Sequence, residues 1–267
     1  MSHRASLDVS APVLKAVTGW IARHRRRPGA RPAQRAGTVH TQVALALRWL
    51  RHRLDLRTLA AQAGLSIATA YRYLHEALDV IATYAPDLAD VLDRAHAAGL
   101  PYVSLDGTLV PTDRVAARAE RGHHLWYSES TMPSAATCRS SSTRPAFRCG
   151  SPRSAPGSTH DLTAARELVL PALYPHAARG LPGLADKGYT GAGVGIHVPV
   201  KHHPAGPLHT DNRGYNRLLT ALRAPRERGN ALLGRWRALD RVTVCPQRIG
   251  VIAAAALVLT SLDRRSR

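Results

Sequence analysis

The chain has 267 residues, enough for one large domain or two modest ones, and it carries 37 Lys and Arg against 18 Asp and Glu, a net charge of +19. That excess points to a polyanion, most simply nucleic acid, rather than to solubility alone. The three cysteines, Cys138, Cys149 and Cys245, have no paired spacing and no CxxC, which argues against a disulfide framework or a cysteine zinc site. The apolar run Ile249 to Leu259 is about half a membrane span, so the expectation is a soluble, cytoplasmic, nucleoid-associated protein with no membrane partner.

Residues 1–37 form a basic leader. Val13 to His24 has helical spacing, with Leu14, Val17 and Ile21 on one face, and Arg25 to Arg35 is a charged linker with two prolines. The leader is read as a partly disordered tail, with a phosphate-contacting arm as the functional alternative.

Residues 38–98 read as an all-α domain. Thr38 caps a helix through Arg51, and Asp55 caps a second from Leu56 to Ala63. Gly64 ends that helix, and Ser66 caps a third from Ile67 to Thr83. Small Ala60 permits a close crossing, and Ile67 and Leu74 are expected in the core. Leu56 to Leu74 thus has the pattern of a helix-turn-helix, in which Thr69, Tyr71 and Arg72 project toward the major groove. The plain alternative is an αα-hairpin with a glycine turn. Pro86 to Ala98 continues as a helix ending at Gly99.

Residues 99–267 form the second domain. Tyr102 to Leu105 reads as a short strand that delivers Asp106 at its end, with Gly107 turning the backbone. Residues 129–156 then break the pattern: they contain no Val, Ile, Leu, Tyr or Trp, but ten Ser or Thr, four Pro and four Arg. Such a stretch buries little apolar surface. Two readings stand, a flexible insertion or codons read out of frame. Order returns at about Pro156, and Asp161 or Thr163 caps a helix through Tyr174. Leu181 to Ala185 is a second strand ending in an acid, Asp186, and Ile196 to Val200 a third strand-like piece. Tyr215 to Leu239 is a basic helix, interrupted near Pro225, that carries Glu227 among arginines. Ile249 to Leu262 is an apolar core helix.

Asp106, Asp186 and Glu227 come from distant parts of the chain. Three such acids suit two-metal phosphoryl transfer, in which carboxylate oxygens hold two Mg²⁺ about 3.5–4 Å apart. Each acid alone is equally a turn or surface ion-pair residue.

The pieces Leu105-Asp-Gly-Thr108, Pro156-Gly-Ser-Thr-His-Asp161, Ala185-Asp-Lys-Gly-Tyr189 and Arg223-Ala-Pro-Arg-Glu-Arg228 occur together in this order. With the helical region they span about residues 38–262. In them the chain resembles the DDE-type transposases of bacterial insertion sequences. The resemblance is to the insertion-sequence-five-like branch, which joins an N-terminal helix-turn-helix to a DDE superfamily endonuclease domain. It implies an α/β catalytic domain with an RNase H-like fold and a mixed sheet. It assigns Asp106, Asp186 and Glu227 as catalytic metal ligands for Mg²⁺ or Mn²⁺. Lys187 and Tyr189 would lie near DNA, as would Arg226 and Arg228. The implied reaction is metal-dependent cleavage of double-stranded DNA at element ends, followed by strand transfer to target DNA. Asp161 is taken as structural, and a homodimer is expected.

One departure stands out. An RNase H-like sheet places its second and third strands at about residues 125–155, where the patternless stretch falls. If that stretch forms no ladder, the sheet lacks both strands, and the expectation is a frameshift-damaged copy with weak or no activity. Two competing functions remain. One is a sequence-specific DNA-binding transcriptional regulator without catalysis. The other is a repair nuclease, which a sequence-reading N-terminal module disfavours.

Overall fold

The computed structural model describes residues 7–27, 34–112, 129–138, 149–150, 155–156, 161–202, 206–224 and 233–265. The chain forms two compact units, one of Met1–Ala85, Leu233–Thr243 and Val251–Arg267, the other of Pro86–Leu232 and Val244–Gly250.

The first unit contains α1 (Ala11–Arg25), α2 (Val39–His52), α3 (Leu56–Gln62) and α4 (Ile67–Ala82). Thr38, Asp55 and Ser66 each accept a hydrogen bond from the backbone N–H three residues on, satisfying donors that a first helical turn leaves free. α3 closes at Gly64, whose φ is +63°. Leu65 then donates its N–H to the Ala60 carbonyl at 2.9 Å and buries its side chain. The same Gly-Leu ending follows α5 (Leu88–Ala97) at Gly99-Leu100 and α7 (Leu170–Ala178) at Gly180-Leu181. The left-handed glycine stops the helix, and the leucine returns an apolar side chain to it.

α1, over the stretch where Val13 to His24 has helical spacing, is part of this unit's core. Val13, Val17 and Ile21 are at most 1% exposed, an unbroken i, i+4 stripe. They join Val43, Leu47 and Leu50 of α2 and Leu74, Leu78 and Ile81 of α4. Leu14 and Ile67, both expected on buried faces, are exposed instead.

A polar node is buried in the same core. Arg25 donates from Nε to Gln42 Oε1 and from Nη1 to the Gly37 carbonyl, both at 2.9 Å, and its guanidinium lies 5.0 Å from the centre of the Tyr73 ring. Gln42 donates to Glu76 Oε2 at 2.9 Å. Arg35 forks onto both Glu76 oxygens at 2.5 and 2.7 Å, and His24 Nε2 lies 3.1 Å from Oε1. Burial alone would raise the Glu76 pKa. Hydrogen bonds from Arg35 and Gln42 and the charges of Arg35 and His24 outweigh it, so the carboxyl is held below its ordinary range. The C-terminal helix α9 (Ile249–Arg265) contributes Thr260, which accepts from Trp236 Nε1 at 2.8 Å.

The second unit is built on a six-stranded sheet. Its strands are β1 (Val103–Pro111), β2 (Glu129–Cys138), β3 (Cys149–Gly150), β4 (Ala155–Pro156), β5 (Gly183–Leu184) and β6 (Ile196–His197). The order is β3-β2-β1-β5-β6, with β4 also on β2. β1 pairs antiparallel with β2 and parallel with β5, and β5 pairs parallel with β6. α6 (Asp161–Leu168) and α7 connect the antiparallel side to the parallel side, and α8 (Thr210–Arg223) follows β6.

Three expectations are corrected here. β1 does not stop at Leu105: it runs straight through Asp106 and Gly107 to Pro111, and Gly107 makes no turn. The patternless stretch, where the second and third strands would be missing if no ladder formed, supplies β2, which pairs with β1 from Val103↔Cys138 to Pro111↔Glu129. A ladder is made by backbone groups, so small Ser, Thr and Ala residues can build one without an apolar period. Pro133, which has no N–H to donate, falls between the positions of β2 paired to β4 and to β3. Finally, the basic helix, α8, begins at Thr210 rather than Tyr215 and ends at Arg223, in agreement with an interruption near Pro225; residues 225–232 lie outside the described residues.

The core of this unit gathers Leu92, Val103, Leu105, Leu170, Leu173 and Tyr189. His176 in α7 sits between the Ala172 carbonyl at 2.9 Å and Asp93 of α5 at 3.0 Å. The hydrogen bond from His176, then that from Arg179, holds the Asp93 carboxyl below its ordinary range.

Packing is tight where β6 begins. Gly195 has φ +77°, and a Cβ there would lie 2.5 Å from the Ala177 Cβ. Gly195→Ala is therefore expected to cost about 2–4 kcal/mol, from the left-handed backbone plus overpacking. Gly180→Ala, with φ +95° but open space, should cost only about 1 kcal/mol. Urea midpoints of the two variants check the difference.

Candidate active site

The parallel ladder between β1 and β5 sets the register of the two aspartates. Its pairs are Val103↔Gly183 and Ser104↔Leu184, so Asp106 and Asp186 stand at one level, each two residues beyond Ser104 and Leu184. Ala185 donates its N–H to the His197 carbonyl at 2.8 Å and Asp186 keeps an extended backbone, so the strand direction persists to the second acid. Neighbouring strands lie about 4.8 Å apart, and residues at one level of a parallel pair share a face. On the other side of β1, the register with β2 shifts between Ser104↔Thr137 and Leu105↔Ala135. That bulge leaves Ala136 as the extra residue of β2, next to Asp106, where such irregularities re-aim side chains.

Asp186 caps a short 3-10 turn, Lys187–Tyr189, by accepting from the Gly188 N–H at 2.8 Å through Oδ1. Its Oδ2 lies 3.9 Å from Arg223 Nη2, an ion pair without a hydrogen bond. Arg223 is 9% exposed, and among the described residues its Nε and Nη2 have no hydrogen-bond partner. A buried guanidinium is thus poised beside the second acid at the C-terminal end of α8.

Two contacts fix α8 there. Asn216 closes a two-way pair with Val200, accepting from its N–H at 2.8 Å and donating to its carbonyl at 3.0 Å. Tyr102, at the start of β1, donates its hydroxyl to the Leu222 carbonyl at 3.0 Å. The sequence reading assigned no role to Asn216, Tyr102 or Arg223. Arg223 had one usable signal, its place four residues before Glu227 in the sequence.

The other predicted residues divide clearly. Lys187 is exposed beside Asp186, whereas Tyr189, expected near DNA, is fully buried in the core. Asp161 is the first residue of α6. Glu227, Arg226 and Arg228 lie outside the described residues. In α4, Arg72 is exposed and Tyr71 half-buried, with the Tyr71 and His75 rings 6.2 Å apart. Thr69, expected to face the groove, is 7% exposed. Its hydroxyl accepts from Ser66 at 3.0 Å and from Arg72 Nη2 at 3.1 Å, so it steadies the arginine.

Asp106 and Asp186 offer hard carboxylate oxygens at one level, the donor type that Mg²⁺ and Mn²⁺ take, and the Asp186 oxygen facing Arg223 makes no hydrogen bond to it. The two acids fit a divalent cation. Among the described residues no group of three His, Cys, Asp or Glu converges on a metal position, and no helix is long and apolar enough to cross a membrane.

The family model described as DDE superfamily endonuclease matches residues 105–261, more than half of the chain, beginning one residue before Asp106. No curated protein and no solved structure matches the chain.

Proposed function

Because the chain belongs to the DDE superfamily endonuclease family, we propose that it is a transposase, cleaving double-stranded DNA at insertion-sequence ends and joining the freed 3′ ends to target DNA. The observation that carries this reading is the placement of Asp106 and Asp186 at one level of adjacent parallel strands. An RNase H-like fold is supported by a central β1 with an antiparallel neighbour on one side and two parallel strands on the other. Asp106 and Asp186 are the first two metal ligands and Glu227, four residues beyond Arg223, the third. When bound, Mg²⁺ or Mn²⁺ supplies Lewis-acid stabilisation of charge on the attacking and leaving oxygens. Lys187, Arg226 and Arg228 hold the phosphate backbone that the acids alone would repel. α3, the Gly64 turn and α4 act as a helix-turn-helix in which Tyr71 and Arg72 face the duplex. Two copies pair two element ends.

A second reading, a copy that binds DNA without cutting it, is favoured by the composition of residues 129–156.

A supercoiled plasmid carrying the element ends, incubated with Mg²⁺ or Mn²⁺, separates the two. Cleavage is expected, reduced about 100-fold or more in Asp106→Ala, Asp186→Ala and Glu227→Ala, the scale of a lost charge-stabilising group. Tight duplex binding with no cleavage by the unaltered chain would establish the second reading instead.

A further inference from the structure

We propose that the cleft between the C-terminal ends of α1 and α4 binds an unpaired nucleotide of single-stranded DNA, with its base on the Trp20–Tyr84 aromatic pair and its phosphate on Arg23 and Arg27. The inference rests on the reading of the protein as one that acts on DNA. Trp20 and Tyr84 stack with ring centres 3.9 Å apart and planes 13° from parallel. Arg23 Nη1 donates to the Tyr84 hydroxyl at 3.1 Å, which puts a guanidinium at the edge of the aromatic pair. The pair borders a cavity of about 240 Å³ floored by Val80. Tyr84 stays 40% exposed, a large aromatic surface left in water at the cavity wall.

The charge around the cavity selects the ligand. Arg23, His24 and Arg27 line it against one acid, Asp79. His24 is engaged with Glu76, while Arg27 is exposed and available to a phosphate. A flat aromatic platform with adjacent guanidinium groups is the pairing that single strands require: stacking for the base, positive charge for the backbone. The interior of a duplex cannot use the platform, because each base there is already covered on both faces. The cavity lies at the far end of α4 from Tyr71 and Arg72, near Thr83 rather than Ser66. From Arg72 to Thr83 the chain advances about eleven residues, roughly 16 Å along the helix at about 1.5 Å each. Strand binding here and duplex binding there are therefore separable.

The test uses the full chain in EDTA, so that cleavage plays no part, with fluorescein-labelled oligothymidine followed by anisotropy. An abasic strand of the same length and charge is expected to bind at least tenfold more weakly, the scale of one lost base stack. Tyr84→Ala should lose the same factor for oligothymidine, Tyr84→Phe should not, and Arg27→Gln should weaken both single strands. A duplex of the element ends should bind equally to all three variants. Equal affinity of the unaltered chain for oligothymidine and the abasic strand would overturn the proposal without any variant having to fold. So would competition by polyglutamate as effective as by oligothymidine. The plasmid assay reads a different event, so its failure and this one are told apart.

Discussion

Asp186→Asn is expected to abolish cleavage and also to lower stability by about 1–2 kcal/mol, and most of that stability should return when Arg223→Met is added. Arg223 is 9% exposed, and the carboxylate facing it is Asp186, 3.9 Å away. Removing one half of a buried ion pair leaves a charge without compensation, which costs about 3–5 kcal/mol where both partners are dry. Here the acid's side chain is 39% exposed, and solvent screens the pair, so the expectation falls to about 1–2 kcal/mol. Methionine fills the same channel without a charge. The double variant should therefore approach the unaltered chain in urea midpoint while remaining inactive on plasmid. A single Asp186→Asn variant as stable as the parent would mean that Arg223 finds its compensation elsewhere. This result would also warn that loss of activity in an Asp186 variant mixes lost chemistry with lost fold, a confusion the double variant removes.

The elements that were legible in the sequence are those whose cause is local. Thr38, Asp55 and Ser66 announced three helix starts because a cap is made within three residues. Gly64 and Gly99 announced two ends because a left-handed backbone is cheap only for glycine. The two aspartates were legible as acids following short apolar runs, but their common level was not, since register between distant strands leaves no mark on either one. Misreadings follow the same rule. Thr69 looked like a groove residue because its helical position was counted without its hydroxyl, which Ser66 and Arg72 engage. β2 was missed because its pairing rests on backbone groups, while strand patterns are written by side chains. The helical spacing of Val13 to His24 is visible in the sequence, but which of its apolar residues are buried is not: Val13, Val17 and Ile21 face the core and Leu14 does not. Arg223 was one arginine among several until burial and a carboxylate singled it out.

Acidification should destabilise the first unit through Glu76, and Glu76→Gln should remove that pH dependence. Glu76 receives Arg35 on both oxygens, Gln42 on one and His24 on the other, with buried Arg25 held through Gln42. Its carboxyl is held below the ordinary value of 4.5. For an acid whose folded pKa is depressed, the stabilisation is fully present above the unfolded value, here about 4.5. It is lost as pH falls through the folded value, because the unfolded chain then binds the proton first. The unaltered chain should therefore lose stability progressively below about pH 4.5, beyond the general acid effect of its other carboxylates. At neutral pH, Glu76→Gln keeps a side chain of the same shape but loses charge-assisted bonds to Arg35, at a cost of about 2 kcal/mol. Its stability curve should then fall less steeply below about pH 4.5, so that the two proteins converge in acid. Near-ultraviolet dichroism of the buried Trp49 follows this unit during thermal melts at each pH. Parallel curves, with a constant gap from neutral to acid, would show that Glu76 acts here by shape and neutral hydrogen bonding rather than by charge.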